Sequence, residues 1–138
     1  MMRLTNRLHR GTIRATGGRI GWRLYGMAVV ELSTVGRRSG EPRTSMLTAP
    51  IHDGATYVVV ASRGGDDVHP AWFLNLRDRP DVRVRTGRGQ ARPMRARIVE
   101  GAEHDALWAR IAATKPHYVA YQERTDRRIP LVVLEPID

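Results

Sequence analysis

The dipeptide Asp53-Gly54 stands between two runs of strand-forming residues, "TSMLTAPI" (44–51) and "TYVVVAS" (56–62). A tight hairpin turn requires positive backbone dihedrals, which Asp-Gly supplies, so the two runs are predicted to pair directly with their register fixed there. Upstream, "VVELST" (29–34) ends at the turn "VGRRSGEPR" (35–43), which extends the pattern to an antiparallel meander. Downstream, "VRVRT" (82–86) alternates with period two and "GRG" turns the chain. "RPMRARIVE" (92–100) then runs back with Met94, Ala96 and Ile98 on one side, a second hairpin.

Helical signals fall between and after the hairpins. Pro70 can open a short helix because its missing N–H costs nothing in a first turn, and Pro80 closes it, with Trp72, Phe73 and Leu76 covering the strands. In "GAEHDALWARIAATK" (101–115) acids lead, Arg110 and Lys115 trail, and Leu107, Trp108 and Ile111 share a face, as helix dipole and helix period require. "PHYVAYQERTDRRIP" (116–130) is helical for a turn or two, and the apolar "LVVLEP" (131–136) suits the centre of a sheet. At 138 residues the chain supports one core. The pattern predicts an α+β fold, an antiparallel barrel with helices packed outside.

Composition narrows the function. The chain has no cysteine, so disulfide and thiolate chemistry are excluded, and its five histidines show no metal-ligand spacing. There is no apolar run of spanning length and no secretory signal, so a cytoplasmic location is expected. The net charge of +9 suggests an anionic partner. Lys115 is the single lysine, however, and such an arginine skew also follows from a GC-rich genome. The placement of the arginines says more. Residues 1–28 form a basic segment, predicted helical and broken at Gly17-Gly18, in which Arg3, Arg7, Arg10, Arg14, Arg19 and Arg23 meet no acid before Glu31. It either docks on the barrel of residues 29–138 or lies, through residues 1–25, on an anionic membrane surface. The eight aromatics sit in apolar contexts and are not interleaved with arginines, so no specific nucleic-acid partner is expected.

Two stretches carry candidate chemistry. In "STVGRRSGEPRT", Arg37, Arg38 and Arg43 surround a glycine turn with hydroxyls and backbone N–H groups, an arrangement that can cradle phosphate or carboxylate oxygens or can stand as a solvated turn. It is not a P-loop, since the order GxxxxGK[ST] is missing. In "ASRGGDDVHPAWFLNL" (61–76), Ser62 sits where a strand runs out, and Gly64-Gly65 let the backbone lie against a planar ligand while Arg63 reaches an electronegative edge. His69, Trp72 and Asn75 follow. Trp72 and Phe73 are read either as core or as part of a pocket wall.

Together "LSTVGRRSGEPRTSML", "VVVASRGGDDVHPAWFLNL" and "YVAYQERTDRRIPLVVLEP" resemble the deazaflavin (coenzyme F-420)-dependent nitroreductase family of actinobacteria, over about residues 29 to 136. The resemblance implies a split β-barrel related to flavin-binding barrels. It also implies hydride transfer from reduced coenzyme F-420 to a small organic acceptor such as a quinone, enone or nitro compound. By resemblance, Arg37, Arg38, Ser39, Arg43 and Thr44 would hold the phospholactyl group and oligoglutamate tail. Ser45, Met46, Leu47, Thr48, Val60, Ala61, Ser62 and Arg63 would line the ring, and Ala71, Trp72, Phe73, Leu74 and Asn75 would close over it. Tyr118, also counted with the cofactor-binding set, and Tyr121 would face the substrate, and with Ser62 they are the candidates to hydrogen-bond charge developing on the acceptor. The alternative for the tyrosines is packing against the barrel.

This chain has Arg63 where relatives often have lysine and Met46 where proline is common; Thr48 and Lys115 replace tyrosines of relatives active on bulky nitroimidazoles. Quinone or enone reduction is therefore expected over nitro-prodrug turnover. Two alternatives stand beside this reading: an FMN-binding flavoprotein on the same barrel, and a non-catalytic basic module for lipid or nucleic acid.

Overall fold

The computed structural model describes residues 23–24 and 27–137 of the chain. Its strands are β1 (Arg23–Leu24), β2 (Met27–Val35), β3 (Pro42–Ala49), β4 (Ile51–Asp53), β5 (Thr56–Val60), β6 (Asp81–Arg85), β7 (Arg92–Val99) and β8 (Leu131–Pro136). A 3-10 turn covers Arg63–Gly65, and the helices are α1 (Ala71–Asp78), α2 (Gly101–Thr114) and α3 (Pro116–Glu123).

The strand β2 organises the sheet. One of its edges carries β3, from Ala28↔Ala49 to Val35↔Pro42. Its other edge carries β1 at Arg23↔Ala28 and β6 from Glu31↔Arg85 to Ser33↔Arg83. From β6 the antiparallel ladder continues through β7, β8 and β5 to β4. β3 returns to lie beside β5, so the sheet curls into a split barrel.

The expected direct pairing of "TSMLTAPI" with "TYVVVAS" is corrected in one respect. The run is two strands, because Pro50 has no N–H to give a ladder and the chain bends there. Before the bend, β3 pairs with β2. After it, β4 pairs with β5 from Ile51↔Val58 to Asp53↔Thr56, and Gly54 takes the positive φ, 63°, that the turn requires. The basic segment 1–28 lies mostly outside the described residues; at its end Arg23–Leu24 and Met27–Ala28 are strand, where helix was expected.

Two apolar clusters cover the two faces of the curled sheet. The inner one joins Val30, Leu32, Leu47, Val59, Val82, Val84, Met94, Ala96, Val132 and Leu134 with Trp72, Phe73 and Leu76 of α1. The outer one joins Val58, Val60, Val99, Leu131 and Val133 with Ile111 of α2 and Tyr118 of α3, and Leu107, Trp108 and Tyr121 pack on it. β8 serves both, so Leu131, Val132, Val133 and Leu134 are all buried, as an apolar strand at the sheet centre must be. Each such side chain contributes roughly 1.5–3 kcal/mol of transfer free energy. Cross-strand ion pairs tie the sheet: the half-buried Arg85 forks onto Glu31 directly across from it at 3.0 and 3.3 Å, and the exposed Arg95 meets Asp81 at 2.9 Å.

Candidate active site

The turn between β2 and β3 is held by its own backbone and by one side chain of α1. Gly36 N–H donates to Glu41 O at 2.8 Å and Gly40 N–H to Gly36 O at 2.8 Å, with Gly40 at φ 72°. A Cβ on Gly36 would come within 2.6 Å of Ser39 Oγ, so the glycine there permits the close approach. Asn75 then pins the turn: its Oδ1 accepts Arg37 N–H at 3.1 Å and its Nδ2 donates to Thr34 Oγ1 at 3.2 Å, with both Asn75 and Thr34 buried. Arg43 donates to Ser39 Oγ at 3.2 Å and pairs with Glu41 at 3.5 Å. The exposed Arg37 and Arg38 side chains make no ion pair or hydrogen bond among the described residues.

Along β3 adjacent side chains point to opposite faces, so the predicted ring-lining run divides. Ser45, opposite Leu32, and Leu47 are on the inner face. Thr44, Met46 and Thr48 are on the outer face, where Met46 packs on Val29 and Thr44 Oγ1 lies 3.4 Å from Ser33 Oγ. Thr48 Oγ1 is 2.9 Å from the hydroxyl of Tyr118, which also donates to Met27 Sδ at 3.7 Å. Tyr118 is therefore a buried, engaged hydroxyl, and burial pushes its pKa up, keeping it protonated. Tyr121 stacks edge-on to it with ring centroids 6.0 Å apart, and Arg124 lies over the Tyr121 ring at 5.6 Å. The Tyr121 hydroxyl has no partner among the described residues.

The strand β5 delivers Val60, Ala61 and Ser62, all buried, to the loop that follows. Arg63, Gly64 and Gly65 take consecutive positive φ values of 47°, 66° and 85°. A residue in the right-handed region followed by one in the left-handed region turns successive N–H groups to one side, and Ser62 at φ −78° before Arg63 does this. The carbonyls of Ala61, Ser62, Arg63, Gly64 and Asp66 are occupied, that of Arg63 by Asp66 N–H at 3.2 Å. Arg127 donates to Ala61 O at 3.1 Å, Ser62 O at 2.8 Å and Asp66 O at 2.8 Å, and Arg124 donates to Gly64 O at 3.2 Å. Among the described residues the N–H groups of Ser62, Arg63 and Gly64 have no acceptor, and neither does the Ser62 hydroxyl, which is 6% exposed. Buried polar groups normally find a partner, and among the described residues this one has none.

His69 links this loop to α1. Arg127 Nη1 lies 3.0 Å from His69 Nδ1, and because a guanidinium only donates, Nδ1 is the acceptor and the imidazole carries its proton on Nε2. Burial, then the charges of Arg127 and Arg77, hold its pKa below the usual histidine range. Its ring sits 4.8 Å from Phe73. Trp72 and Phe73 are core, Ala71 is exposed and Leu74 half-buried, so of the helix residues predicted to cover a ring it is Asn75 that reaches a polar group of the turn.

The structure thus joins Arg37 to Asn75, Thr48 to Tyr118, and the Ser62–Gly65 loop to the end of α3. The sequence gives no mark of Arg127, Arg124 or Gln122, because in a chain so rich in arginine nothing distinguishes one that grips a distant loop.

The family model for F420H(2)-dependent quinone reductase matches residues 5–136. A protein named F420H(2)-dependent quinone reductase from Mycobacterium tuberculosis (strain ATCC 25618 / H37Rv) is 38% identical over 134 residues, covering 93% of this chain and 87% of that protein. The solved structure of an F420-H2 dependent reductase (FDR-A) superposes with a TM-score of 0.67 at 36% identity, covering 78% of this chain and 93% of the other. A second, described as a domain-swapped dimer, gives 0.70 at 33% identity, with 95% and 98% covered. The chain belongs to the F420H(2)-dependent quinone reductase family.

Proposed function

We propose that this protein is an oxidoreductase that reduces a quinone, or a related small electron-poor acceptor, with reduced coenzyme F-420. The observation that carries the reading is the turn of Arg37 and Arg38: its backbone is fixed by Asn75 while its two guanidiniums are left without a partner among the described residues. A rigid backbone presenting unspent bidentate donors suits a phosphate followed by a chain of carboxylates. Ser39, Arg43 and Thr44 flank that anion site.

Coenzyme F-420, when bound in its reduced form, supplies a hydride from C5 of its deazaflavin ring. The residues present fit such a group. The orphaned Ser62 hydroxyl and the N–H groups of Ser62, Arg63 and Gly64 are donors facing one side, suited to the electronegative edge of a flat heterocycle or to the acceptor. Met46, Thr48 and Val60, on the face that also carries Tyr118 and Tyr121, are assigned to the surroundings of the ring together with Asn75 at the arginine turn, and Ser45, Leu47, Ala61, Ala71, Trp72, Phe73 and Leu74 are assigned to support them from behind.

Reduction of a quinone to a hydroquinone takes one hydride and one proton, and negative charge builds on an oxygen of the acceptor before the proton arrives. A donor aimed at that oxygen contributes on the order of 3 kcal/mol to the transition state. Ser62 and Tyr121 are assigned that role. Tyr118, its hydroxyl already bound to Thr48, is assigned the part of holding α3 and Tyr121 in place. Residues 1–25, outside the described residues except for Arg23–Leu24, are further proposed to rest on anionic lipid on the cytoplasmic side of the membrane.

The test is a titration of the purified protein with oxidised and reduced coenzyme F-420, followed by deazaflavin fluorescence, and then a screen of quinones, enones and nitroaromatics. Binding with quinone turnover is expected. A protein that binds no deazaflavin, or that arrives with a bound yellow flavin, defeats the reading, and the latter outcome favours FMN.

A further inference from the structure

Arg127 lies in none of the segments that face the proposed ligand, yet more polar contacts of the Ser62 loop end on it than on any other side chain. Its guanidinium spends Nε on Asp66 O, Nη1 on Ala61 O and His69 Nδ1, and Nη2 on Ser62 O, at 2.8 to 3.1 Å. The segment that carries it is itself held: Gln122 Nε2 donates to Arg127 O at 2.8 Å and Gln122 Oε1 accepts Ile129 N–H at 3.0 Å. Thr125 Oγ1 donates to Asp67 Oδ1 at 2.7 Å and accepts Arg127 N–H at 3.2 Å.

Resting on the function proposed above, we propose that Arg127 is a positioning residue for cofactor binding: by drawing the carbonyls of Ala61, Ser62 and Asp66 to itself, it holds the Ser62–Gly65 loop in the left-handed conformation that turns its N–H groups and the Ser62 hydroxyl toward the ring. Positive φ at Arg63 is unfavourable for a residue with a Cβ and persists only where its surroundings enforce it. Apart from the single bond of Arg124 to Gly64 O, the side-chain contacts to the loop carbonyls come from one planar, five-donor side chain, and a lysine, with a single nitrogen, cannot reproduce the fork. The His69 contact couples the loop to α1 and hence, through Asn75, to the arginine turn.

The proposal separates Arg127 from residues that touch the tail. Arg127→Lys is compared with wild type in three measurements: hydrogen exchange of the Ser62–Gly65 amides without ligand, the dissociation constant of intact coenzyme F-420, and that of its tail-less ring-and-ribityl fragment. The expected result is faster exchange confined to the loop, and both constants raised by the same factor, about tenfold, as loss of hydrogen bonds to a charged donor implies. Unchanged exchange, or a loss restricted to the intact cofactor, overturns it. If Arg127→Lys does not fold, Thr125→Val, which removes only the hydroxyl that anchors Asp67 and the Arg127 N–H, is expected to raise both constants in the same ratio by a smaller factor. Wild-type affinity in that variant also overturns the proposal. Should the wild-type protein bind neither form, the functional reading itself fails, whereas wild-type binding with an indifferent Arg127→Lys defeats this inference alone.

Discussion

Asn75, one turn from the end of α1, accepts the backbone N–H of Arg37 at 3.1 Å and so fastens a surface turn to the inner core of the barrel. Its other end donates to the buried Thr34 hydroxyl at 3.2 Å. Asn75→Ala leaves both partners without theirs, and leaving a buried group unsatisfied costs about 1–3 kcal/mol. Asn75→Asp keeps the acceptor for Arg37 and lets the Thr34 hydroxyl donate. Chemical denaturation is expected to rank the variants wild type, then Asp, then Ala, and cofactor affinity should follow the same order. Equal stability of Ala and wild type would contradict the assignment.

Arg37 and Arg38 are exposed and unpaired among the described residues, so replacing them removes little from the folded state. Arg37→Ala with Arg38→Ala is expected to shift stability by no more than ~0.5 kcal/mol. Binding of coenzyme F-420 should weaken by about tenfold or more, the loss growing with the number of tail glutamates and shrinking at high salt. Titrations insensitive to tail length would remove these arginines from the tail site.

The two tyrosines of α3 are expected to part company. Tyr118→Phe deletes the hydroxyl that meets Thr48 and Met27, a net loss of about 1 kcal/mol, or roughly 3 °C in Tm for a chain of this size. Tyr121→Phe deletes a hydroxyl with no partner among the described residues, so stability should hold while quinone turnover falls at unchanged cofactor affinity. Stopped-flow reduction of a benzoquinone, beside thermal melts of both variants, decides it. A turnover defect in Tyr118→Phe alone would reverse the assignment.

Much of this architecture is legible in local pattern because the forces that fix it are local. The Asp53-Gly54 turn, the alternation of 92–100 and the apolar run 131–134 each dictate a strand whatever surrounds them, and the structure has them as β4–β5, β7 and β8. Pro50 is the exception, since a proline inside a strand-like run says that pairing breaks without saying where each half finds its next partner. The candidate site divides along the same line. The arginine turn and the Gly64-Gly65 loop announce themselves through residue type. The grip of Arg127 on that loop spans more than sixty residues of chain, and only the folded barrel brings the two together.

The contact of His69 with Arg127 makes loop stability depend on pH. His69 has its pKa lowered by burial first and by the neighbouring arginines after it, so the unfolded chain takes up the proton at a higher pH than the folded one. The contribution of the neutral ring is complete above the unfolded value of about 6.5 and is lost as pH falls below it toward the folded pKa. His69→Asn offers Arg127 an acceptor that does not titrate. Between pH 8 and pH 5.5, wild type is expected to lose more Tm than His69→Asn, the excess being the part owed to His69. Parallel pH profiles would show that the imidazole plays no such part.

Gly65 and Gly64 offer the last test, since they share a backbone conformation and differ in what lies beside them. Both have positive φ, 85° and 66°. An alanine at either carries the cost of the left-handed region, on the order of 1–2 kcal/mol. At Gly64 nothing lies within 4 Å of the added Cβ, so that cost is the whole effect. At Gly65 the Cβ would stand 2.6 Å from Tyr121 O and 3.0 Å from Arg124 Cβ, a backbone oxygen and a carbon bonded directly to the backbone, neither of which can swing away. Gly65→Ala must therefore push the end of α3 off the loop, and it is expected to cost at least ~2 kcal/mol more than Gly64→Ala in urea unfolding, where overpacking of a fitted contact typically costs 1–3 kcal/mol. Because Tyr121 rides on that same turn of α3, quinone turnover should fall in Gly65→Ala and survive in Gly64→Ala. Equal costs in the two variants would mean that α3 does not seat on the loop as described.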